Sequence, residues 1–231
     1  MYVGKTNKSL SGRLSNHLRK LSGRVDMDPT RIGFICLYVD EDLDAASPEK
    51  LLIKKYKTVD EAPWNTMGFG NKDPGRNRDR TLVKAGHFDA KYPIDLDRTV
   101  HDLDLDEQSV GNLLKDVKAK LPYNLRFETK KKIKSELVDT RITVTSAQLS
   151  ARDIMKLVIA ALPAGWQATA LPGYLILYRE TANYRSATTF WRKSDGGVQE
   201  AEGQRLLDAD GKIKSDDEVD EDEADDDIDD D

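Results

Sequence analysis

The sequence predicts a mixed α/β chain made of two small α+β units in succession, followed by an acidic tail. Three observations carry that prediction. Apolar residues recur at helical spacing over 10–21 and 150–162, while strand-length apolar runs fall at 32–39, 123–128 and 166–179. A stretch rich in Pro, Gly and Asn interrupts the pattern between 62 and 80. The last sixteen residues, DDEVDEDEADDDIDDD, hold thirteen acids and no base.

In chain order, Tyr2-Val3 opens a short strand that Gly4 ends. Ser9 or Ser11 can cap a helix to about Leu21, striped by Leu10, Leu14, Leu18 and Leu21, with Gly23 as its stop. Ile32 to Val39 reads as a buried strand, which makes Cys36 a core residue. Ser47-Pro48, an N-cap followed by proline at the first helical position, opens a helix to about Lys57. Ala62 to Arg80 contains Pro-Trp-Asn, Gly-Phe-Gly-Asn and Asp-Pro-Gly-Arg. Irregular stretches of that length in a compact unit are functional or disordered, and the aromatic and glycine content favours an ordered loop. The first unit is therefore expected over 1–82, with a basic loop at 66–80 and a linker at 83–99.

The second unit is expected over 100–192. A helix near Glu107–Leu121 leads to a strand at Tyr123–Glu128, and a basic linker (Lys130–Lys134) to a strand at Thr140–Thr145. The helix Ser150–Leu162 precedes two strands, Trp166–Ala170 and Tyr174–Arg179, joined across Leu-Pro-Gly. In pattern this order resembles the small N-terminal modules of secretins and outer-membrane receptors, and the unit is read as an accessory domain. Residues 193–231 are expected to be disordered, since a block of like charge repels itself and buries nothing.

Composition narrows the function. One cysteine excludes an internal disulfide framework and any multi-Cys zinc site, so a reducing, cytoplasmic setting is expected. No apolar run reaches the ~18 residues of a membrane span. The net charge of -6 conceals a division: outside the tail, 36 bases face 29 acids, a body of net +7. Residues 1–35 hold seven bases against Asp26 and Asp28, and Lys72, Arg76, Arg78 and Arg80 form a second cluster. Such clusters are the electrostatic footprint of a phosphate-backbone binder.

The residues suited to chemistry lie in the first unit. Arg13 and His17, at i and i+4, project from one edge of their helix beside the leucine stripe. There Arg13 can hold a scissile phosphate and neutralise developing charge, and a neutral His17 can bond phosphate or water or accept a proton. Tyr2 carries a phenol able to act as acid, base or phosphate ligand. Lys5 and Lys20 can pair with phosphate, and Asn65 can donate to a phosphate oxygen or form a turn. Glu49, at the second position of its helix, is favoured there by the helix dipole; it also suits a single Mg²⁺ ligand, because that hard cation keeps most of its waters. Asn71, Arg76, Asn77, Arg78 and Arg80 are residue types that read base edges in a major groove.

Taken in order, Tyr2-Val3-Gly4-Lys5-Thr6, the Arg13–His17 helix, Glu49-Lys-Leu-Leu-Ile53, Pro63-Trp64-Asn65 and Gly68-Phe-Gly-Asn-Lys-Asp-Pro-Gly-Arg76 resemble the second half of a GIY-YIG nuclease core. The last stretch is similar to the type II restriction endonucleases of that superfamily, in particular the branch cutting a CCGCGG-type palindrome. The resemblance covers about residues 1–80. It implies a small antiparallel sheet flanked by helices and a metal-dependent DNA endonuclease. The catalytic residues it implies are Tyr2, Arg13, His17, Glu49 and Asn65, with one Mg²⁺ on Glu49. DNA contacts are implied at Lys5, Lys20, Asn71, Lys72, Arg76, Arg78 and Arg80. It further implies a homodimer on double-stranded palindromic DNA and a companion DNA methyltransferase. The superfamily's first strand, Gly-Ile-Tyr, belongs ahead of Tyr2. Two expectations follow: a start upstream of Met1, or a DNA-binding regulatory protein that does not cut.

Overall fold

The computed structural model describes residues 1–6, 9–36, 51–56, 62–70, 75–128 and 130–209, and the fold is mixed α/β. The helices are α1 (Leu10–Ser22), α2 (51–56), α3 (Pro63–Thr66), α4 (Phe88–Lys91), α5 (Val110–Lys120), α6 (Lys131–Asp139) and α7 (Ala151–Ala161). The strands are β1 (Val83–Lys84), β2 (Thr99–Val100), β3 (Gln108–Ser109), β4 (Asn124–Phe127), β5 (Arg141–Ile142), β6 (Leu149–Ser150), β7 (Gln167–Leu171), β8 (Tyr174–Tyr178), β9 (Thr189–Ser194), β10 (Gly197–Glu202) and β11 (Leu207–Asp208). Five of them form one sheet in the order β10-β9-β7-β8-β4, antiparallel except for the parallel β4–β8 pair. No helix among the described residues is long and apolar enough to cross a membrane.

Three serines start three helices. Ser9, Ser109 and Ser150 each accept from the backbone N–H three residues on, at 3.0–3.2 Å. Beyond those caps, α5 and α7 bury Leu113, Leu114, Val117, Ile154, Val158 and Ile159 against one sheet face, where Leu125, Ala168, Leu175, Leu177 and Trp191 meet them. Alternation along β8 sends Tyr174, Ile176 and Tyr178 to the opposite face. That face is covered as well. The 3₁₀ turn Gly75–Arg80 lies on it, with buried Asp79 accepting from the Tyr178 hydroxyl at 3.1 Å and paired with Arg126.

Several expectations are corrected. Residues 83–99 are no linker: Phe88 is fully buried with Leu21 and Phe69, and Arg24 pairs with Asp89 at 2.9 Å in the interior. Residues 193–209 are ordered, because β10 pairs along its whole length with β9 and β11 runs parallel to β1. The Lys130–Lys134 linker is largely the first turn of α6, anchored by buried Leu137. Residues 32–36 form no strand; Ile35 and Cys36 are exposed. Nor does the expected antiparallel sheet occur among the described residues of 1–82. Residues 37–40 and 210–231 lie outside the described residues, and with them the acidic tail.

Candidate active site

Residues 1–6 adopt no regular structure, yet they are held from outside. The Asn65 side-chain amide takes both backbone groups of Val3: Val3 N–H donates to Oδ1 at 2.8 Å, and Nδ2 donates to Val3 O at 2.7 Å. A primary amide has one donor and one acceptor edge, so it does for Val3 what a neighbouring strand would do. This fixes the chain where Tyr2 meets α1.

Arg13 Nη2 donates to the Tyr2 hydroxyl oxygen at 2.9 Å. One turn on, the His17 ring stands edge-on to Tyr2, with centroids 5.1 Å apart. Phe69 closes the third side, 5.1 Å from both rings. Lys20, a further turn's width along α1, donates to Phe69 O at 2.5 Å and lies over that ring. Gly4 and Gly70 make this possible by lacking side chains. A Cβ at Gly4 would lie 2.7 Å from Arg13 Nη2, and one at Gly70 would overlap the Tyr2 hydroxyl.

The cluster is cationic. Among the described residues Arg13 has no carboxylate partner. Burial, then the charges of Arg13 and Lys20, hold the His17 pKa below its ordinary value, so the imidazole is neutral at neutral pH. Its Nε2 is buried and accepts or donates no hydrogen bond among the described residues. Arg13 donates to the phenol oxygen and so leaves the Tyr2 proton free for another acceptor. Such a group can take an anion on Arg13 and Tyr2 beside a neutral base.

No protein-family model matches the chain, and neither does any curated protein or solved structure. The site therefore stands on its geometry.

Of the expected residues, Tyr2, His17 and Lys20 meet at Phe69, Arg13 joins them through the Tyr2 hydroxyl and Asn65 through Val3, while Lys5 is exposed. Arg76 and Arg80 lie apart, at the tyrosine face of the sheet, while Arg78 lines a cleft that Lys20 also borders. Arg76 bonds Glu128, at 3.3 Å to its Oε2, and covers the Tyr178 ring at 4.0 Å. Arg78 reaches Asp89 at 3.3 Å and His87 Nε2 at 3.1 Å. Arg80 is three-quarters exposed, with Glu180 at 3.6 Å. Glu49, Asn71 and Lys72 lie outside the described residues, so the expected Mg²⁺ ligand does too. No group of three or more His, Cys, Asp or Glu able to hold a metal occurs among the described residues. Sequence reasoning missed Phe69 as the centre of the cluster; its flanking Gly68 and Gly70 were the available sign of close packing.

Proposed function

We propose that the chain is a metal-dependent DNA endonuclease hydrolysing phosphodiester bonds, in the manner of the GIY-YIG type II restriction enzymes its first 80 residues resemble. The observation that supports this best is the convergence of Arg13 and His17, up to fifteen positions away in the chain, on the one Tyr2 side chain, Arg13 at its hydroxyl and His17 edge-on to its ring. On this reading Arg13 binds a non-bridging oxygen of the scissile phosphate and stabilises the charge that develops there. The Tyr2 hydroxyl, oriented by Arg13, donates to the phosphate or holds the water. Neutral His17 takes the water's proton as it attacks in line. Asn65 is a positioning residue, acting through Val3. Mg²⁺ on Glu49, a cytoplasmic setting, a homodimer on palindromic DNA and a companion methyltransferase belong to the same reading.

The test is cleavage of supercoiled plasmid with Mg²⁺ by the chain and by Arg13→Ala. Cutting that falls at least ~10²-fold in the variant supports the proposal; that is the usual loss for one transition-state donor. A second reading, DNA binding without cutting, is supported by the same cationic cluster, since Arg13 and Lys20 can hold a phosphate whether or not it is cut. Salt-dependent binding with no cleavage, unchanged in Arg13→Ala, selects it.

A further inference from the structure

A cleft of about 730 Å³ lies on the other flank of α1, walled by the last turns of α1, by α5 and by β4. Its volume is that of a small-ligand site. Six cationic side chains line it against one carboxylate, Asp89. That carboxylate is already paired, with Arg24 at 2.9 Å and Arg78 at 3.3 Å, and it offers no charge to offset the rest.

Lys115 and Lys118 are the decisive pair. They stand three residues apart on one face of α5, exposed, and neither forms an ion pair among the described residues. A bland reason for lysines there is the exposed carbonyls of a helix C-terminus. Arg19 has taken that task, donating to Leu121 O at 2.6 Å and to Lys118 O and Ala119 O at 3.2 Å each. The half-buried Phe127 ring completes the wall, 6.0 Å from Lys118 Nζ. Tyr174, also in the cleft, carries the Arg126 guanidinium close over its ring at 4.2 Å. The exposed Lys118 ammonium instead stands off the Phe127 ring at 6.0 Å and can turn to a phosphate, which makes Phe127 the more open stacking surface.

Lys20 joins the cleft to the Tyr2–Arg13–His17 cluster, for it lines the one and touches Phe69 of the other. From Arg13 to Lys20 the helix advances about 10 Å at 1.5 Å per residue. That equals the axial length of about three base pairs. We propose that this cleft is a subsite for a single-stranded nucleotide of the DNA substrate, with phosphate on Lys115 and Lys118 and an unpaired, unstacked base against Phe127. The proposal rests on the nuclease reading and names where its substrate strand runs beyond the cut.

The test is fluorescence anisotropy of a labelled single-stranded oligonucleotide with the full chain, across salt concentrations, beside plasmid cleavage. Lys115→Gln with Lys118→Gln is expected to lower the salt slope by about 1.4 and weaken binding about 25-fold at 0.1 M salt. Phe127→Leu, which keeps apolar volume and removes the aromatic face, is expected to weaken binding about five-fold or more. Unchanged melting temperatures for both would exclude misfolding as the cause. Wild-type affinity and slope in both variants, or preference of the chain for a poly-aspartate peptide over the oligonucleotide, overturns the subsite. If the chain cuts while these variants bind normally, the subsite fails alone. If they lose binding but the chain never cuts, the nuclease reading fails alone.

Discussion

Replacing Asn65 by Ala isolates the contact that holds the site's entering chain. Two hydrogen bonds disappear, from Val3 N–H at 2.8 Å and to Val3 O at 2.7 Å. Each such bond contributes a net ~0.5–1.5 kcal/mol, so the loss should come to ~1–3 kcal/mol of stability. The effect on cleavage should be larger than on folding, because freeing Val3 frees Tyr2 from Arg13. Asn65→Asp sharpens the test. Its carboxylate still accepts from Val3 N–H but faces Val3 O with no donor, so it should be worse than Ala at pH 7. It should recover below about pH 4, where the acid is protonated and can donate. Urea unfolding of the three forms at pH 7 and pH 3.5, with plasmid cleavage at pH 7, measures both effects. A stability change below ~0.5 kcal/mol, with cleavage intact in Asn65→Ala, refutes the clamp.

Two further outcomes follow from charge. His17 and His87 both have pKa values held below the ordinary one, chiefly by burial. The unfolded chain takes these protons near pH 6.5 and the folded chain only at lower pH, so stability should fall as pH drops below about 6.5. Urea midpoints between pH 7.5 and 4.5 check this, and His17→Gln should remove part of the loss; a flat profile contradicts it. The last described strand ends close in sequence register to the basic turn: Asp208 stands opposite Lys84 in the β1–β11 ladder, four residues after Arg80. Asp216 follows eight residues later, within about 27 Å at full extension. Deleting 216–231 should therefore tighten non-specific duplex binding at low salt and not at high salt; equal low-salt affinities for the two forms count against it.

Elements with a local signal were legible in the sequence. The Ser9 cap of α1 falls where the residue puts it, and α5 and α7 form within the expected 107–121 and 150–162, as do the apolar runs of β7 and β8 where expected. Of the α1 leucine stripe only Leu21 is buried, and Leu18 is half exposed. Elements whose reason is distant were not. The β10 sequence GVQEAE is polar because the strand is an exposed edge, and its pairing with β9 cannot be read from its own residues. In α6 the lysines mask the Ile133–Leu137 spacing that seats it. The Ile32–Cys36 run looked buried on composition alone, and its exposure has no local cause in the sequence. At the site, helical spacing brought Arg13 and His17 to one edge correctly. The partners of Arg76 and Arg78, at Glu128, Glu180 and Asp89, depend on how the sheet receives the 75–80 turn. The backbone clamp by Asn65 is likewise a tertiary fact.

The central claim is that Arg13, set against Tyr2 and His17, stabilises a phosphodiester in the act of breaking. Single-turnover cleavage of plasmid DNA with Mg²⁺, comparing the chain with Arg13→Lys at matched DNA binding, tests it most directly. The account predicts that both bind DNA alike while the lysine form cuts at least ~10²-fold more slowly, since an ammonium cannot reproduce the fork of donors a guanidinium presents. Equal cutting rates, or no cutting by either form, would contradict it.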